Sequence, residues 1–188
     1  MKYFSIWWEM QSEETKENVR ILVKDGRLEI AGGGWSMHDE ACPSYSDMMN
    51  NIMYGHEFIE RELGVRPRVG WQIDTFGHTA SNARLYAEMG FESWFFARFD
   101  RSDKKQRESD QSLQFIWKPF DKSLGEPVEI FTHCMHDHYN YPDDFKYDEV
   151  NTSGDPFVSN PKLSTFNADV KSEKLRIYIN KMTTIYKS

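Results

Sequence analysis

The chain has 188 residues, 39% hydrophobic and 28% charged, with a formal net charge of −7. That length suits one domain, and 13 Phe, 9 Tyr and 6 Trp supply apolar bulk for a core, so global disorder is excluded. The acidic balance disfavours nucleic acid as a partner, no apolar run nears the ~18 residues of a membrane span or suits a signal-peptide core, and two cysteines, Cys42 and Cys134, cannot build a disulfide scaffold.

What remains is an α/β pattern. Residues 9–24 are polar, with apolar residues at Met10, Val19, Ile21, Leu22 and Val23 and a stop at Gly26, which predicts a solvent-facing helix. A short strand is predicted at 28–31, and Gly32-Gly33-Gly34 reads as a turn, since no Lys-Ser/Thr follows to make a phosphate loop. Tyr45, Met49, Ile52, His56, Ile59 and Leu63 recur at steps of 4 and 3, one stripe of an amphipathic helix. Pro43 suits its first turn and Gly64 its stop. On that stripe His56 reads as a packed core histidine rather than a ligand.

Residues 69–73 predict a buried strand ending at Asp74, and a helix is expected over 79–89, closed by Gly90. Residues 93–97 predict another strand. The mixed charges of 98–110 read as a solvated loop or helix face. Strands are predicted at 115–120 and 128–132, the second leading into a loop at 133–138, then irregular loop from Tyr139 to Asn167 and a final helix from about Asp169. Strands alternating with helices imply a mostly parallel sheet flanked by helices, whose functional residues collect at the strands' carboxyl ends.

Asp74 lies at such an end, before a glycine-containing turn. A carboxylate there is either a helix N-cap or a catalytic or metal-binding group. Phe76 offers an apolar face and Gly77 close approach, which suits a sugar ring. His133, Cys134, His136 and His138 lack the spacing of a metal motif, so a surface loop is the simpler reading. Asp143, Asp144, Asp148 and Glu149 read as a solvated acidic loop, and Asn151-Thr152-Ser153 matches a glycosylation acceptor, in keeping with a secretory-pathway protein.

Two segments carry more: Gly-Gly-Trp-Ser-Met-His-Asp-Glu-Ala at 33–41 and Trp-Gln-Ile-Asp-Thr-Phe-Gly-His at 71–78. With Arg66-Pro67-Arg68 before the second and Met89-Gly90-Phe91 after it, they resemble the α-mannosidases of glycoside hydrolase family 38, the lysosomal type most closely. Ile6-Trp7-Trp8-Glu9, Phe95-Phe96-Ala97-Arg98, Phe131-Thr132-His133 and the segment 155–161 extend the likeness, in order, over nearly the whole chain.

The resemblance implies that residues 1–188 are part of the family's N-terminal α/β catalytic domain, whose largely parallel, seven-stranded sheet would be incomplete here. It implies a retaining, zinc-dependent exo-mannosidase acting on terminal α-mannosyl residues of mannose-containing glycans, in the lysosome or another secretory-pathway compartment. Asp74 would be both nucleophile and zinc ligand. Phe76 would line the sugar subsite, Arg98 would orient Asp74 and keep it ionised, and Tyr141, or in second place Tyr139, would contact substrate. Asp74 and Arg98 are therefore expected side by side.

The departures matter too. Thr75 stands where the family usually has proline, and His38 where proline or asparagine is common. The family's His-x-Asp zinc pair, its acid/base aspartate and its last zinc histidine find no match, so of four zinc ligands the chain carries one. The resemblance thus implies a middle slice of the domain, lacking N- and C-terminal portions of the same enzyme as its natural partners, marginally folded and catalytically silent alone. Two readings compete: a non-catalytic homologue acting as a binding or interaction module, and another zinc hydrolase such as a polysaccharide deacetylase, for which only 133–138 offers ligands.

Overall fold

A computed structural model describes residues 1–120, 122–123, 125–140, 158, 160–164 and 167–186. The helix expected over 9–24 forms over 13–24, and a further helix precedes it. α1 (Lys2–Glu9) buries Trp8, and α2 (Glu13–Lys24) starts at Ser12, whose side chain accepts the Thr15 N–H at 3.2 Å. Ser12 with Glu13 and Glu14 behind it makes a new N-terminus, so the helix restarts rather than running through from Glu9. Phe4, Trp8 and Phe58 form an aromatic cluster that seats α1 on the next helix.

The strand expected at 28–31 does not form. The segment lies beside the sheet with a single ladder bond, Gly32 N–H to the Val69 carbonyl at 2.6 Å, because Gly32 and Gly33 turn away at φ +68° and +73°. Its Leu28 and Ile30 pack instead against the apolar cluster of Trp8, Val23, Phe58, Ile59 and Leu63.

α3 (Tyr45–Leu63) opens with a Ser44/Asp47 capping box and closes on left-handed Gly64. Pro43 therefore precedes the cap and is not in the first turn. Ile52, His56, Ile59 and Leu63 are buried as the stripe required, but Met48 replaces the exposed Tyr45 and Met49. Burial depends on which element faces the helix, and periodicity does not encode that. His56 is a core residue, its ring against Phe91 and its Nε2 at 3.2 Å from the Gly32 carbonyl; burial lowers its pKa. Gly55 is required by close approach: a Cβ there would strike the Gly33 carbonyl, so the glycine turn rests directly on α3.

β1 (Val69–Gln72), α4 (Ala80–Glu88), β2 (Ser93–Phe96), α5 (Arg101–Ser109), β3 (Gln114–Trp117), β4 (Ile130–Cys134) and α6 (Ala168–Ile185) follow. The sheet has the order β1-β2-β4-β3 among the described residues. β1, β2 and β4 run parallel, and β3 pairs antiparallel with β4, giving the mostly parallel sheet expected. β4 extends through His133 and Cys134, which the sequence assigned to loop; Ile130, Thr132 and Cys134 alternate inward, a strand period that continues past the expected end. Segment 98–110 is a helix, α5, with no buried residue, capped by Asp100. Both cysteines are free, Cys42 exposed and Cys134 buried. No described helix is long and apolar enough to cross a membrane.

Under the sheet lie Trp94, Phe96, Ala83, Tyr86, Leu113 and Ile130. One polar network is buried with them. Asn82 donates to Gln72 Oε1 at 3.2 Å, Gln72 donates to the His38 carbonyl at 3.1 Å, and His38 Nε2 donates to Asn82 Oδ1 at 2.9 Å. Gln72 and Asn82 are fully buried, so each bond replaces water that cannot reach. The ring of contacts fixes segment 38–41 above the end of β1. Asn82→Ala leaves His38 Nε2 and Gln72 Oε1 unpaired and is expected to cost about 2–4 kcal/mol in urea unfolding, whereas an exposed polar change such as Ser109→Ala is expected to cost under about 0.5 kcal/mol.

Candidate active site

The parallel register decides the site. Gln72 lies opposite Phe96 at the ends of β1 and β2, so the positions two residues further on, Asp74 and Arg98, leave the sheet side by side at its carboxyl edge. Arg98 donates from Nε at 3.0 Å and from Nη2 at 2.7 Å, both to Asp74 Oδ1. Tyr139, five residues beyond β4, donates its hydroxyl to the same oxygen at 3.1 Å and accepts from Arg98 Nη2 at 3.3 Å. Among the described residues no donor holds Oδ2. Asp74 is the expected neighbour of Arg98, and Tyr139, the second-placed tyrosine, joins them, while Tyr141 lies outside the described residues. The acidic loop at 143–149 and the glycosylation acceptor at Asn151 also lie outside them.

Two rings lie near the Arg98 guanidinium, with the centroid of Phe76 at 5.5 Å and that of Tyr139 at 5.9 Å. Phe76 is 71% exposed, a large apolar face turned to solvent beside a carboxylate. Next to it opens a hollow of about 580 Å³ whose lining includes Phe76, Arg98, Phe99, Asp100, Lys104 and His138. The turn between β1 and α4 is held by Thr75 Oγ1 donating to the Gln72 carbonyl at 3.2 Å, and Gly77 takes φ +86°, which a side chain would strain.

Hydrogen bonds from Arg98, then Tyr139, and the Arg98 charge hold the Asp74 carboxyl below the usual carboxylate value, and the same pair raises Arg98. Because the folded value of Asp74 is depressed, its contribution to stability is present above the ordinary carboxylate pKa and is lost as pH falls through the folded one. At neutral pH Asp74 is an anion with one oxygen occupied and one open.

Two further residues sit beneath this layer. His78 Nδ1 lies 2.8 Å from Glu40 Oε2 and His78 Nε2 lies 2.9 Å from the Arg98 carbonyl. Both fall inside the segments quoted above, yet nothing in a 38-residue separation signals that they touch.

A family model, the glycosyl hydrolases family 38 N-terminal domain, matches residues 1–188. An Arabidopsis thaliana alpha-mannosidase is 45% identical over 89% of this chain and 16% of its own length. The alpha-mannosidase of Canavalia ensiformis is 41% identical over 90% of this chain and 17% of its own length. The lysosomal alpha-mannosidase of Cavia porcellus is 37% identical over 98% and 18%, respectively. The chain belongs to glycosyl hydrolase family 38. It spans 16–18% of the length of these relatives.

For a family 38 domain the fit to zinc can be tested on the donors present. Zinc takes three or four protein ligands. Among the described residues no three His, Cys, Asp or Glu gather to hold a metal. Asp74 Oδ2 is one suitable oxygen. His133 is stacked on Phe95 and tilted against Tyr186, each ring 4.7 Å away, with Gln114 at its Nδ1, and burial pushes its pKa down to about 4. His136 lies 3.2 Å from Glu108, and His138 packs on Tyr139 at 4.0 Å. The described residues therefore do not make a zinc site. Replacing Arg98 by Ala is expected to raise the Asp74 pKa toward the ordinary carboxylate value, read from its side-chain carboxyl carbon shift across a pH titration; Arg84→Ala is expected to leave it unchanged.

Proposed function

We propose that this chain carries the nucleophile of a retaining α-mannosidase acting on terminal α-mannosyl residues of glycans, with Asp74 as the nucleophile. One observation supports this above others: Asp74 Oδ1 takes three donor contacts from Arg98 and Tyr139, while among the described residues no donor holds Oδ2, and the exposed Phe76 ring lies 5.5 Å from the same guanidinium. Family membership and relatives named alpha-mannosidase supply the sugar. Arg98 keeps Asp74 ionised and engages Oδ1. Oδ2 then attacks the anomeric carbon, the bond to the departing oxygen breaks, and water later hydrolyses the glycosyl ester with net retention. Phe76 stacks on the C–H face of the sugar while its hydroxyls meet polar groups of the edge.

A retaining enzyme also needs an acid/base carboxyl about 5–5.5 Å from the nucleophile. Among the described residues no second carboxylate shares the contacts of Asp74. Zinc, which the family resemblance implies, would take Asp74 as one ligand and need two or three more that the described residues do not supply, so no step above runs through it. The names of mammalian relatives support a lysosomal or other secretory-pathway compartment. That no second carboxylate among the described residues shares the contacts of Asp74 favours, as second reading, a chain that binds mannosides without cleaving them.

Two experiments decide. An activated, fluorinated α-mannosyl fluoride incubated with a catalytically active polypeptide that includes residues 1–188 is expected to label the peptide containing Asp74. Labelling of another carboxylate would refute the assignment, and Asp74→Asn is expected to abolish turnover of an aryl α-mannoside. The purified 188-residue chain is expected to show no measurable turnover with or without zinc, since general acid–base help is worth about 10²–10⁴ in rate and no second carboxylate among the described residues shares the contacts of Asp74. Zinc-dependent turnover by a monodisperse sample, lost in Asp74→Asn, would overturn that.

A further inference from the structure

The exposed pair at the sheet edge is a weak source of its own geometry. Asp74 and Arg98 side chains are 64% and 38% exposed, and surface ion pairs of that kind contribute little and sample several arrangements. Something else must fix where the guanidinium starts from. Directly below, the side chains of His78 and Glu40 are 3% and 1% exposed. We propose that Glu40 and His78 form a buried positioning pair that clamps the Arg98 main chain and so delivers its guanidinium to Asp74.

The atoms specify the clamp. The Arg98 carbonyl can only accept, so His78 Nε2, 2.9 Å away, carries a proton. His78 Nδ1 and Glu40 Oε2 at 2.8 Å share one further proton, whichever atom bears it, so the pair is neutral as a unit and its burial is tolerable. The other Glu40 oxygen accepts from the Thr79 N–H at 2.8 Å and from the Thr79 hydroxyl at 3.3 Å. Thr79 is the N-cap of α4, so Glu40 is tied to a helix start. The imidazole plane is set by Phe96, stacked at 4.0 Å, and by Trp94, edge-on at 5.3 Å. Three segments, 38–41, the β1–α4 turn and the exit of β2, therefore meet in one contact chain: Thr79, Glu40, His78, Arg98 carbonyl. A packing histidine would need the rings alone. Here both ring nitrogens are engaged, one of them on the residue that holds Asp74.

The role as positioning residues for catalysis rests on Asp74 being the reacting carboxylate; the clamp itself does not. The test therefore reads the Arg98 side chain by nitrogen-15 NMR of the 188-residue chain. His78→Ala is expected to speed solvent exchange of the Arg98 Nε–H about tenfold or more, the loss of one charged hydrogen bond. The Nε–H signals of Arg84 and Arg176, paired with Glu88 and Glu173, are expected to keep their rates. Glu40→Gln preserves the shape and can donate to Nδ1, so it is expected to keep the wild-type Arg98 rate. An unchanged Arg98 rate in folded His78→Ala would reduce His78 to packing and overturn the proposal. So would a wild-type ring with no proton on Nε2, a measurement that needs no variant to fold. Neither readout uses turnover, so mannoside labelling at a residue other than Asp74 would remove the catalytic reading and leave the clamp to be judged on these signals.

Discussion

Parallel pairing of β1 with β2, Gln72 opposite Phe96, is the constraint on which the site depends. It turns a separation of 24 residues between Asp74 and Arg98 into hydrogen-bond distance, because equal offsets beyond paired strand ends emerge together. The pairing is secured from below, where Trp94 and Phe96 on β2 are wholly buried, and not by the ion pair, which is largely in water. Energetics and function are thus divided between layers: apolar burial sets the frame, and the exposed charges use it.

Between those layers lie two polar assemblies that do different work. Gln72, Asn82 and His38 close a cyclic set of bonds that holds segment 38–41 over the end of β1. Glu40, carried by that same segment, then reaches His78. Buried polar networks are costly when half satisfied and rigid when complete. Here the first network presents Glu40 at the height where His78 needs it, so the stability of the loop and the placement of Arg98 are coupled through neighbouring residues of one segment.

The asymmetry at Asp74 follows from the same geometry. Arg98 and Tyr139, which follow β2 and β4, both meet Oδ1, and among the described residues no donor takes Oδ2. An anion held by one oxygen and offered by the other, next to an apolar ring, combines orientation with access in a way that a symmetrically paired carboxylate does not.

Much of the frame was legible in the sequence. The 4-and-3 spacing of α3, the apolar runs of β1 and β2 and the strand-end place of Asp74 follow from local periodicity and turn chemistry, which a few residues encode by themselves. Residues 33–41 and 71–78 also carried the family. Local pattern gave less where two segments compete for a partner: 28–31 has strand-like residues but only one ladder bond, and His133 and Cys134 continue β4 because β2 and β3 flank it. The choice between Met48 and Met49 as the buried residue, the reach of Tyr139 to Asp74 and the Glu40–His78 contact were decided by tertiary structure alone. Each depends on the direction from which a distant element arrives, and no spacing along the chain records a direction in space.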